Sequence, residues 1–261
     1  MNRWSRWSAV LLSTLALSAP LAAQENYEIQ VYPGATVAPG ITMFELHSNF
    51  TGRGTTVAQN GVAPTNHAVH ETVEITHGFT PWLEVGFYQF VSLRSGGGVQ
   101  YVGNHIRPRI AVPESKGWPI GLSLSQEIGY QRSEFSEDSW NWEIRPIIDQ
   151  QRGRIYWAFN PVLGVALKGP SAGSAPDFEP NAQIGFDATP KLNVALEYYG
   201  AFGPMNALEK VDAAEQMIVP AVNIDFGPDW EFNAGVGIAL TDGTDRVAFK
   251  TIFGRRVGGA R

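Results

Sequence analysis

From Ile41 to Gly254 the chain alternates apolar and polar residues with a period of two, in run after run. A strand sends alternate side chains to opposite faces, so each run presents one apolar and one polar face. The clearest run sets Trp140, Trp142, Ile144, Pro146 and Ile148 against Asn141, Glu143, Arg145, Ile147 and Asp149. Earlier, Thr42, Phe44 and Leu46 alternate with Met43, Glu45 and His47, and Val102, Ile106, Pro108 and Ile110 with Gly103, His105, Arg107 and Arg109. Later, Leu192, Val194, Leu196 and Tyr198 oppose Asn193, Ala195, Glu197 and Tyr199, and Val247, Phe249 and Phe253 oppose Ala248, Lys250 and Gly254. The pattern recurs about twelve times, give or take two.

Short connections fall near Thr80-Pro81, Gln151-Arg152-Gly153, Thr189-Pro190-Lys191 and Gly227-Pro228-Asp229, and longer ones at 51–66, 169–177 and 202–215. Short turns on one side and long loops on the other predict an up-and-down barrel of the outer membrane. Residues 112–119 are long for a turn and 241–245 short for an outer loop. Trp82, Tyr130, Trp140, Trp157, Tyr198 and Trp230 fall towards strand ends, where a membrane-water interface favours aromatic rings. In a soluble sandwich the charged face would meet water. The aromatic area of the apolar face, with no helices to cover it, favours lipid on that face and an ion-paired lumen on the other.

The ends fit an exported chain. Arg3 and Arg6 precede the apolar run Ala9 to Leu21, and Ala22-Ala23 offers a cleavage site before Gln24. The expected organisation is a signal over 1–23, a periplasmic lead-in over 24–40, a single-domain barrel over 41–255 and a tail over 256–261. The piece Tyr27-Glu28-Ile29-Gln30-Val31-Tyr32 equally suits a short plug strand. Cysteine is absent, which excludes disulfides, thiolate chemistry and lipid attachment at a cysteine. Loss of the two signal arginines takes the formal charge from −6 to −8, and no basic cluster remains to bind nucleic acid.

The stretch Trp140 to Pro146, the segment Phe159-Asn160-Pro161 and the final strand ending at Phe253 resemble proteobacterial outer-membrane barrels of the meta-pathway-of-phenol-degradation family. The resemblance covers 41–255 and implies a transporter loosely related to barrels that carry hydrophobic compounds. It also implies outer-membrane lipid and the barrel-assembly machinery, reached through the C-terminal strand, as partners. The eight residues after Phe253 depart from the usual aromatic terminus.

The most concentrated lumen charges are Arg107, Arg109, Glu127, Glu143, Arg145 and Asp149, on neighbouring strands. They make either a constriction that selects a small-molecule solute by charge or a structural lattice closing the lumen. A lipid hydrolase is the competing class: Ser48 and His67 share the outward face near an outer loop, with Glu71 further along it. A carboxylate on that face is out of place unless it lies near an interface or a cation. His47, His70 and His105 share the polar face without the spacing of a compact ligand motif, so neither a metal nor a cofactor is expected. Ser95-Gly96-Gly97-Gly98 reads as a flexible loop, since no helix follows to hold a phosphate. The favoured role is passage of small molecules through a non-enzymatic outer-membrane barrel. A closed structural or adhesion barrel is the rival.

Overall fold

The structure is a computed structural model that describes residues 26–259, so the expected export signal lies outside the described residues. It contains twelve strands: β1 (Ile41–Arg53), β2 (Val69–Thr80), β3 (Leu83–Arg94), β4 (Gly98–Ala111), β5 (Gly121–Gln131), β6 (Trp140–Arg152), β7 (Ile155–Lys168), β8 (Asp177–Thr189), β9 (Leu192–Ala201), β10 (Glu215–Ile224), β11 (Trp230–Ala239) and β12 (Val247–Gly258). Each pairs antiparallel with its neighbours in sequence, and β12 closes on β1, with Ile41 opposite Gly258. Lengths of 10 to 14 residues suffice to cross a bilayer at the tilt of a barrel strand.

Burial is inverted relative to a soluble sheet. Phe44, Leu46, Val73, Phe87, Ile106, Ile184 and Phe249 are exposed on the outside, while Glu74, Glu84, Arg107, Glu197 and Lys250 are buried within. The apolar face of the alternation is therefore the outer wall, the arrangement of a transmembrane barrel. Among the described residues no helix is long and apolar enough to cross a membrane.

Three local expectations change. Val102 turns inward, fully buried, because the β3–β4 register slips between Phe90 and Val91. The extra residue of a bulge reverses the face of the side chain it carries. β12 runs to Gly258, three residues into the expected tail, with Arg256 held by Glu231 at 2.7 Å and Arg255 over the Trp230 ring at 4.9 Å. The long β4–β5 connection is a compact turn: a 3-10 turn over Glu114–Lys116 ends at Gly117, whose φ of 65° lies in the left-handed region that favours glycine.

The largest change concerns the lead-in. Its described part begins at the long-loop mouth, where the Asn49 side chain donates to the Asn26 carbonyl (2.9 Å). It leaves at the short-turn mouth, where the Gly40 N–H donates to the Gly78 carbonyl (2.8 Å). Residues 26–37 thus run through the lumen rather than below it, and the plug alternative describes them better, although they form no strand. Ile29 and Val31 pack on Ala158, Tyr199, Met217, Val219, Ala221 and Ala248, one apolar wall of the interior. Tyr27 packs on Tyr88, Phe90 and Val102 on the other side.

Candidate functional site in the lumen

An extended backbone with no strand beside it must find partners for its N–H and C=O groups elsewhere. The wall supplies them. Thr72 Oγ1 donates to the Tyr27 carbonyl (2.6 Å), Lys250 Nζ to that of Ile29 (3.0 Å) and Arg145 Nη1 to that of Gln30 (3.2 Å). Arg109 donates from Nη1 to the Pro33 carbonyl (2.9 Å) and from Nη2 to that of Ala35 (2.8 Å). Asn160 works in both directions, accepting the Tyr32 N–H at 2.8 Å and donating to the Tyr32 carbonyl at 3.1 Å. Carboxylates take two remaining N–H groups: Asp149 that of Gly34 (2.9 Å) and Glu84 that of Val37 (2.6 Å).

Tyr32 is the centre of this contact. Its ring lies 4.5 Å from the Arg145 guanidinium, 4.9 Å from Arg107 and 5.7 Å from Arg109. Its hydroxyl is 3.1 Å from that of Tyr88. The three arginines expected in a constriction or in a lattice closing the lumen are thus gathered around a side chain of the inner segment.

Their carboxylate partners are largely not those expected. Arg107 donates to Glu74 (2.7 Å), to Glu84 (2.9 Å) and to the Tyr88 hydroxyl, and Arg109 donates to Glu84 (2.8 Å). Glycine at position 86, facing inward between Thr76 and Arg107, gives these side chains room: a Cβ there would meet Thr76 Oγ1 at 2.7 Å and the guanidinium at 3.2 Å. Of the acids singled out, Glu143 holds Arg145 through two bonds (2.7 and 2.8 Å), and Glu127 pairs with His105. Asp149 takes Gly34 and the Tyr156 hydroxyl (2.9 Å). At the outer mouth, Asp245 accepts from Thr65 (2.6 Å) and Thr51 (3.1 Å), and burial raises its carboxyl above the usual range.

The hydrolase constellation does not assemble. Ser48 lies directly across from Glu71 and donates to it at 2.7 Å, while His67 stacks on Phe50. Glu71, the third residue of β2 from the long-loop end, therefore has a hydrogen-bond partner near the interface, where a carboxylate is tolerated. A hydrogen bond to a charged group contributes about 1.5–3 kcal/mol, less where water competes. Ser48→Ala should cost about 1–2 kcal/mol in urea unfolding of the refolded barrel. A change inside experimental error would show that water already satisfies Glu71. Ser95 and Gly96-Gly97 lie at the tight β3–β4 connection, with Gly96 at φ 79°.

Tyr32, Asn160, Thr72 and Lys250 were not among the expected site residues. Lys250 and Asn160 stand in the alternation at inward positions, but nothing in it shows that a backbone lies opposite them.

No protein-family model matches the sequence, and no curated protein matches it. Solved structures do. The COG4313 outer membrane channel from Pseudomonas putida F1 aligns with a TM-score of 0.60 at 12% identity, over 88% of this chain and 100% of that one. The NanC porin aligns at 0.55 and 5% identity over 83% and 100%, and the KdgM porin at 0.54 and 8% over 82% and 98%. At these identities the likeness is one of fold.

Proposed function

We propose that the protein is an outer-membrane channel for small molecules, held shut in this state by residues 26–37 of its own chain. One observation carries the reading: the lumen is filled by a strip of backbone, and the charged wall groups bind that strip through its carbonyls. Such a filling can leave as a unit, because the wall closes as a complete ring of strands without it. The fold shared with solved channels and porins supports the same reading. The exposed apolar belt suits outer-membrane lipid, and β12, whose pairing with β1 closes the ring, is the strand through which assembly machinery would act.

With the segment out, Glu45, Glu74, Glu84, Glu127, Glu143, Asp149, Glu179 and Glu197 outnumber Arg107, Arg109, Arg145 and Lys250 around the lumen. The open channel should therefore prefer cations. The test is conductance across planar bilayers of the refolded chain from Gln24 onward, with and without residues 26–37. The intact protein should be mostly silent with brief openings, and the deletion should conduct steadily with cation selectivity. A deletion variant that folds, by its heat-shifted mobility on a detergent gel, yet stays silent would favour a closed structural barrel.

A further inference from the structure

We infer that Glu45, His47 and Glu74 form a binding site for a divalent transition-metal ion of the zinc type in the wall of the lumen. The three side chains stand on β1 and β2, with Glu45 directly opposite Glu74, and one ligand atom from each lies within 4.8 Å of the others. His47 is fully buried, and neither of its ring nitrogens makes a hydrogen bond. Its Nε2 faces Glu74 Oε2 at 3.3 Å, and that oxygen also lacks a hydrogen bond. Two donors sharing one tetrahedral ion at bond lengths of about 2.0–2.1 Å sit roughly 3.3 Å apart, so this pair already has the required spacing.

The other oxygen of Glu74 is occupied. Arg107 Nη2 (2.7 Å) and Thr76 Oγ1 (2.6 Å) donate to Oε1, which fixes the carboxylate and leaves Oε2 directed at His47. Outer groups that orient a ligand in this way are a regular part of metal sites. Arg107 does not make the site cationic, because Glu84 also holds it at 2.9 Å. Gly254 pairs with both Glu45 and Glu231, and the absence of a Cβ there leaves its inward space to the Met43 methyl and the Glu45 stem. Glu231, beyond Gly254, lines a cavity of about 330 Å³ at the short-turn mouth with Asp225 and Arg256. One imidazole and two carboxylates suit zinc and its first-row neighbours, with water completing the shell. The site belongs to the wall and stands whether or not the barrel conducts.

Zinc binding to the refolded chain in detergent, by calorimetry, tests this directly. One ion per chain should bind with a dissociation constant near or below about 10 μM. Cobalt in its place should give the visible absorption of a site with few ligands. His47→Gln and Glu45→Gln should each weaken zinc binding by at least about 10-fold, while His70→Gln leaves it unchanged. Heat-shifted mobility establishes that each variant is folded. Absence of saturable binding up to about 1 mM zinc, or unaltered affinity in folded His47→Gln, would overturn the assignment.

Discussion

Tyr32→Ala should turn a mostly closed protein into one that conducts readily, with an open-to-closed ratio raised on the order of 100-fold. The ring lies against three guanidiniums, at 4.5, 4.9 and 5.7 Å, in a lumen largely shielded from water. A cation over an aromatic face contributes about 0.5–2 kcal/mol, more when desolvated, and three contacts to one ring do not add fully. With the packing lost on truncation, about 3 kcal/mol of docking free energy is at stake, and each 1.4 kcal/mol is a factor of about 10. Tyr32→Phe keeps the ring and loses only the hydroxyl contact with Tyr88, so its effect should be roughly 5-fold. Both variants retain the backbone pair with Asn160. Single-channel open probability reads the difference. Should the Ala and Phe variants open equally, the arginine contacts are not what holds the segment.

The barrel itself was legible because a wall with lipid outside and charge inside imposes one rule on every strand, and alternation reports that rule. The segment at 27–32 obeys the same alternation for another reason. It lies extended between an apolar wall, met by Ile29 and Val31, and a charged one, met by Tyr32. Period-two patterning says that a chain is extended between two environments. It does not say whether a strand lies beside it, so a lead-in and a plug read alike. The arginines were found for a sound reason, as buried charges that must be paired. Most of their partners were missed, because these depend on register and on space: Arg107 reaches past Gly86 to Glu74, two strands away. Val102 shows the same limit, since one inserted residue reversed its face without leaving a mark in the local sequence.

The second large effect separates two arginines that look equivalent in the sequence. Arg107→Ala should lower the stability of the refolded barrel by about 3–5 kcal/mol in urea unfolding, the usual cost of leaving buried charge without its partner. Arg107 is 2% exposed, and Glu74 and Glu84 are exposed by 1% and 0%. Without Arg107, Glu74 loses the cation at 2.7 Å and keeps the hydrogen bond from Thr76, with the His47 ring 3.3 Å from its other oxygen, whereas Glu84 keeps Arg109 at 2.8 Å. The damage is thus centred on Glu74, and adding Glu74→Gln to Arg107→Ala should restore part of the stability. Arg145 differs. Its partner Glu143 is on its own strand with a side chain 26% exposed, so Glu143 stays partly hydrated when the cation is removed. Arg145→Ala should therefore cost no more than about 1–2 kcal/mol of barrel stability. It gives up the bond to the Gln30 carbonyl and the closest contact with Tyr32, and so acts on the inner segment. Loss of less than about 1 kcal/mol in Arg107→Ala would mean that water reaches Glu74, and the charged wall would then hold the segment without also holding the barrel.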